Sequence, residues 1–228
     1  MQSARPSSLF LIFCSALALY MLTAGGSLTS TDAVVTFELT SSIVERHSIA
    51  LPDNVLGLDA NRGVDGRFYS QYGIGQSLYN IPFYLGGRLA ARLLPRPIGK
   101  PDTLPKAAVA MGSVVAAAFA VMLIASLARR LGASPRAASI AALGAAISSP
   151  LWPYSKFGFS TALTAAILVG AARLLVEAQA RETARFAAAA GAVLAFGWLT
   201  RHEMALALVP FSASLVMHAR ESRSRPPW

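Results

Sequence analysis

The chain has 228 residues, 54% of them hydrophobic and 14% charged, with a formal net charge of +9 and a mean hydropathy of +0.51. A soluble domain of this length carries about a quarter charged residues. Here the apolar residues also lie in long uncharged runs, so composition points to an all-α polytopic membrane protein and away from a soluble domain with a large core. The basic residues flank apolar segments, as membrane topology demands, which argues against nucleic acid as a partner. Cys14 is the single cysteine and allows no intrachain disulfide; His47, His202 and His218 lack ligand spacing, so no metal ligands are assigned.

In chain order, the uncharged run after Arg5 has its apolar part at 8–23. Its basic start and small residues suit a signal peptide, but the further spans that follow favour a retained anchor. A polar stretch carrying most of the acidic residues comes next. Ser30 or Thr31 can cap a helix over 31–46, with Val35, Leu39 and Ile43 on one stripe and Glu38 and Glu45 sharing another face. Asp65-Gly66-Arg67 is a turn signal. Segment 72–94 is apolar enough to suggest a span, yet it contains Gly73, Gly75, Gln76, Asn80, Pro82, Arg88 and Arg92. Uncharged runs then follow at 107–128, 137–155, 157–172, 186–200 and 204–217. The first two can cross a core of ~30 Å at ~1.5 Å per residue, and the shorter ones need flanking charges to snorkel.

The positive-inside rule arbitrates segment 72–94. If it does not cross, Arg129, Arg130, Arg136, Arg173, Arg181, Arg185, Arg220, Arg223 and Arg225 share a side with Arg5, and Lys156 and Arg201 lie in short outer loops. If it crosses, those nine arginines move outside. The expectation is therefore six spans in a single membrane domain: a first span at 8–23, an outer loop at 24–106 with an amphipathic helix at 31–46 and an interfacial helix at 72–94, five further spans over 107–219, and a basic cytoplasmic tail at 220–228.

Several residues on the expected outer face admit two readings. Asp32 either favours a helix N-terminus electrostatically or serves as a general base or metal-binding carboxylate. Asp65-Gly66-Arg67 is either a solvated turn or offers Arg67 to a phosphate, with Tyr69 and Tyr72 lining a polar pocket. Lys156, after Trp152-Pro153-Tyr154-Ser155, is either a snorkelling lysine beside an aromatic belt or neutralises a lipid-borne phosphate. Arg201, His202 and Glu203 interrupt two short apolar runs, as a hydrated hairpin or as functional residues. A base and several cations on one face suit transfer from an anionic lipid-phosphate leaving group.

Thr23-Ala24-Gly25-Gly26 with Asp32, the stretch from Asp65 to Leu78 followed by Ile81-Pro82-Phe83-Tyr84-Leu85, Leu151-Trp152-Pro153-Tyr154-Ser155-Lys156, and Leu199-Thr200-Arg201 together resemble bacterial members of the GT-C superfamily of integral-membrane glycosyltransferases, including the protein mannosyltransferase-like and lipopolysaccharide core-transferase-like groups. The resemblance implies a polyprenyl-phosphate-linked sugar donor, an acceptor on the outer face of the bacterial inner membrane, inverting transfer, and interfacial helices in the first outer loop. It implies Asp32 as base; the residues read above on the same outer face, Arg67, Tyr69, Tyr72, Lys156, Arg201 and Glu203, are then expected to bind substrate. A divalent metal varies within the superfamily and is left open. Relatives often carry an acidic residue where Thr161 stands here. The chain matches the N-terminal half of such proteins, so a fragment, a truncated product, or a form completed by a partner subunit is expected. The alternatives are a non-catalytic lipid-sugar binder or accessory subunit and, last, a small transporter, which predicts mid-span ionisable residues that the runs lack.

Overall fold

The computed structural model describes residues 6–52, 60–94 and 98–224. Arg5 and Arg225, which enter the sidedness argument, and the end of the basic tail lie outside the described residues. The described residues are mostly helical, and the fold is all-α apart from one small hairpin.

Helix α1 (Pro6–Thr23) is apolar throughout. Helix α2 (Thr31–Arg46) starts where Ser30 Oγ accepts the Ala33 N–H at 3.2 Å, with Asp32 in its first turn, and ends at His47 in the left-handed region. Its Val35 and Leu39 are buried, and with Ile43 they pack on Leu51, Phe68, Tyr72 and Ile74. The expected stripe therefore faces the next loop. Strands β1 (Ala60–Arg62) and β2 (Phe68–Ser70) pair antiparallel, Ala60 opposite Ser70. Gly66 at φ +81° and the Asp65 carboxylate accepting the Arg67 N–H at 3.1 Å shape the turn between them.

Helix α3 (Ile74–Leu93) buries Gln76, Ser77, Asn80, Tyr84 and Gly87. Ser77 Oγ donates to the Thr36 carbonyl at 3.1 Å and Thr40 Oγ1 to the Ser77 carbonyl at 3.2 Å, stitching α2 to α3. Helix α4 (Thr103–Arg130) packs on α1 and α3 and on the next three of the five α-helices that follow it. It is lined with buried Val114, Ala117, Ala118, Ala120, Val121 and Ala125, small enough to let several helices approach at once.

Helix α5 (Pro135–Ser148) is capped by Ser134, and α6 (Leu151–Ser155) is a short turn of helix. The run 137–155, expected as one span, is thus two helices. Pro150 offers no N–H and drives Ser149 to extended backbone at ψ 168°; Ser149 Oγ then accepts the Leu151 N–H at 3.2 Å and starts α6. Helix α7 (Ser160–Arg181) begins after Gly158 at φ +73° and runs beyond its apolar stretch. Helix α8 (Ala184–Thr200) follows. The run 204–217 likewise divides into a 3-10 turn (His202–Ala207) and α9 (Leu208–Ser224).

Helices α4 and α7 are long and apolar enough to cross a bilayer, and α1 and α8 are apolar but shorter. Large apolar side chains are exposed on the bundle: Leu22 is 87% exposed, Ile140 62% and Val209 70%.

The two ends of the bundle differ chemically. At one end the Glu177 carboxylate, its side chain 7% exposed, meets Arg130 at 2.9 Å, Arg173 at 2.6 Å and Arg181. Arg129 donates to Ser8 at 3.0 Å, which brings the start of α1 to the same end. A single buried carboxylate among these guanidiniums offsets their repulsion, and removing it leaves charge uncompensated. Glu177→Ala is expected to lower stability by about 2 kcal/mol, read as an earlier thermal unfolding transition of the purified chain in detergent.

Candidate functional site

The opposite end gathers four separated stretches of sequence. The first contact joins the end of α1 to α6: Trp152 Nε1 donates to Thr23 Oγ1 at 3.0 Å. The second brings the cap of α2 to the loop before α7, with Ser30 Oγ donating to the Phe157 carbonyl at 3.4 Å. Gly158 stands where a Cβ would lie 3.0 Å from Ala33 Cβ, so the loop can lie flat on the first turn of α2.

The third contact is the tightest. A Cβ on Gly73 would fall 2.2 Å from the Leu199 carbonyl oxygen, and one on Gly75 would fall 2.4 Å from Thr200 Oγ1. The glycines therefore do not form a nucleotide loop. They allow the start of α3 to abut the C-terminus of α8. That contact fixes Tyr72, whose hydroxyl donates to Asp32 Oδ1 at 2.8 Å and accepts from Gln71 Nε2 at 3.2 Å. Asp32 Oδ2 accepts no hydrogen bond among the described residues.

Arg201, the residue after α8, reaches in two directions. Its guanidinium forks onto Glu203, Nη2 to Oε1 at 3.2 Å and Nε to Oε2 at 3.4 Å, while Nη1 donates to Thr161 Oγ1 at 3.4 Å. The Arg201 hydrogen bond holds the Glu203 carboxyl below the usual carboxylate range. Lys156 lies with its ammonium 5.3 Å from the centre of the Trp152 ring, a cation–π contact at the same end.

Two of the expected site residues are engaged within the hairpin. Tyr69 donates to Asp65 Oδ2 at 2.7 Å, and Arg67 pairs with the same carboxylate at 3.8 Å. Both belong to the hairpin. The Tyr69 hydrogen bond holds Asp65 below the usual carboxylate range, and the same bond raises the Tyr69 phenol. Arg67 also lines a depression of about 200 Å³ with Arg46, Ser48 and Phe68. Asp32, Tyr72, Lys156, Arg201 and Glu203 are thus brought to one end by helix packing, while Arg67 and Tyr69 gather on Asp65.

Sequence reasoning passed over Gln71, Thr161 as an arginine partner, and the flank of α2. There Glu45 accepts from Tyr84 at 2.6 Å and pairs with Arg88 at 3.0 Å. The faint signal was Glu45 seven residues after Glu38; its partner 39 residues on has no local signature. Asp32 and Glu203 are carboxylates at the site end, and no group of three His, Cys, Asp or Glu among the described residues could hold a metal ion. A cation here would draw its remaining ligands from substrate oxygens.

Burial pushes the Glu38 carboxyl above its ordinary value, with Lys106 opposing. A carboxyl raised on folding holds its proton more tightly in the folded state, so stability falls as pH rises through the window that begins at the ordinary carboxylate value. Glu38→Gln is expected to raise the unfolding temperature near pH 7 and to change it little near pH 4, compared by thermal unfolding at both.

Comparison of the chain with family models, curated proteins and solved structures finds no match. What this end of the bundle does is read from its own chemistry.

Proposed function

We propose that the chain is a membrane glycosyltransferase of the GT-C type, moving a sugar from a polyprenyl-phosphate-linked donor to an acceptor on the outer face of a bacterial inner membrane. The observation that carries the proposal is the Asp32 carboxylate, anchored through one oxygen by Tyr72 at 2.8 Å with its second oxygen accepting no bond from the described residues. It stands at the end of the bundle opposite the arginine cluster around Glu177. With the arginines inside, the chain crosses six times, through α1, α4, the α5–α6 pair, α7, α8 and α9. The end bearing Asp32, Lys156 and Arg201 then faces out.

In the reaction, Asp32 accepts the proton of the acceptor hydroxyl. The freed oxygen attacks the anomeric carbon from the side opposite the phosphate. The carbon–oxygen bond to the phosphate breaks, its electron pair leaves on the polyprenyl phosphate, and configuration inverts. Lys156 and Arg201 supply positive charge to the developing phosphate dianion. Arg67, held on Asp65 in the hairpin, reaches the donor only if that exposed pair opens.

One observation favours a second reading. Thr161 stands where an acidic residue is expected, and Arg201 already contacts it at 3.4 Å. A site with a cation satisfied by a hydroxyl and one carboxylate fewer suits a protein that binds lipid-linked sugar without turning it over, as an accessory subunit.

Sugar transfer by the full chain reconstituted in lipid, with polyprenyl-phosphate sugars as donors, separates the two. The transferase reading expects turnover in the wild type, lowered by about 100-fold or more in Asp32→Asn and by about tenfold in Tyr72→Phe, where the carboxylate loses one orienting hydrogen bond. Donor binding without turnover establishes the second reading, and turnover unchanged in Asp32→Asn removes Asp32 as base.

A further inference from the structure

Helix α3 carries along its length a feature that the transfer reaction does not use. Leu78, Leu85, Leu89 and Leu93 repeat at helical spacing along one face and are exposed, Leu89 57% and Leu93 74%. Arg88 and Arg92 occupy the adjoining i,i+4 row. Beside them opens a depression of about 320 Å³, with Arg88, Arg92 and Lys100 supplying charge and Ile98 and Leu104 supplying apolar wall.

The charges here are unbalanced. Glu45 neutralises Arg88 at 3.0 Å, whereas Arg92 and Lys100 have no ion-pair partner among the described residues. Asp102 does not line the depression; its charge acts on Glu38, on the α2 side. The leucine row is continuous with the apolar wall, since Ile98 is itself 55% exposed. An apolar stripe edged by uncompensated cations is the pattern of a helix lying in a bilayer surface, acyl chains on one side and headgroups on the other.

We infer that Arg92 and Lys100, together with the leucine face of α3, form a binding site for an anionic phospholipid of the leaflet on which α3 lies. The lipid's phosphate sits in the depression between the two cations, and its acyl chains run along Leu89 and Leu93. A free phosphate satisfies the charges but leaves the leucines in water. A zwitterionic lipid covers the leucines but brings its own cation to a cationic depression. An anionic phospholipid satisfies both. The inference rests on the membrane reading and is independent of the transferase reading. It gives α3 a second function: bound lipid holds the helix in the interface, and α3 in turn holds Tyr72 against Asp32.

The test uses the full chain reconstituted in bilayers of phosphatidylcholine containing a minor fraction of phosphatidylglycerol. Phosphatidylglycerol and phosphatidylcholine, each bearing a photoreactive group next to the phosphate, are crosslinked in turn and mapped by peptide mass spectrometry. Labelling of the 88–104 segment is expected to be at least about fivefold stronger with phosphatidylglycerol. It should fall by about thirtyfold in the Arg92→Gln/Lys100→Gln double variant, the scale expected for two interfacial charges. Labelling around Arg129 and Arg136, at the opposite end, should stay unchanged and so report an intact fold. Equal labelling by the two lipids overturns the proposal, as does unchanged labelling in the double variant. Loss of phosphatidylglycerol labelling on adding inorganic phosphate, at constant ionic strength, marks a free-anion site and overturns the lipid assignment. A label carried at the acyl-chain end should mark α4 and α7; if it misses both, the membrane reading fails and takes this inference with it.

Discussion

The site end of this bundle depends on one steric constraint: the backbone of Gly73 and Gly75 lies against the Leu199 carbonyl and the Thr200 side chain, with no room for a Cβ on either glycine. Because the start of α3 touches the end of α8, Tyr72 is delivered to Asp32 and Arg201 is left pointing past Thr200 toward Thr161. Interiors are close-packed, so such a contact is either made or displaced by a whole atom's width. The geometry of the carboxylate is therefore set by glycines that never touch it.

A second constraint organises the other end. Arg130 from α4 and Arg173 and Arg181 from α7 converge on Glu177. Arg130 and Arg181 lie in the last turns of α4 and α7 and Arg173 eight residues before the end of α7, each after an apolar stretch of its helix. One buried carboxylate lets two helix ends approach despite like charge. The pair of ends gives the molecule a polarity that follows from packing, and it separates the charges that balance one another from those that are turned outward.

The site end, by contrast, leaves its charges partly committed. Asp32 spends one oxygen on Tyr72, Arg201 is shared between Glu203 and Thr161, and Lys156 rests on the Trp152 ring. Each of these is a single hydrogen bond, an exposed ion pair or a cation–π contact, worth little enough that a ligand of complementary charge or hydrogen bonding can compete for the group. The hairpin's Arg67 is in the same state, 69% exposed beside Asp65. Groups so lightly held suit binding better than stability, and they contrast with the buried Glu177 cluster.

Local chemistry was legible in the residues themselves. Ser30 and Asp32 start α2, the stripe of Val35, Leu39 and Ile43 gives its buried face, and the glycines, proline and arginines of 72–94 describe a helix, α3, that differs from the plain apolar runs. A cap, a stripe and a charge bias depend on neighbours within a few residues, so sequence by itself determines them. It did not show that Pro150 splits a run into α5 and α6, since a uniformly apolar stretch hides a break in direction. The short hairpin at 60–70 was equally hidden, because strands of three residues carry no alternation to read. Tertiary structure alone decided that Tyr72 meets Asp32 across 40 residues, that Trp152 meets Thr23 across 129, and that Tyr69 and Arg67 turn to Asp65 instead. Those contacts join residues whose separation along the chain carries no periodic signal. They exist because small residues let particular helices come close, and closeness between helices is a property of the packed bundle.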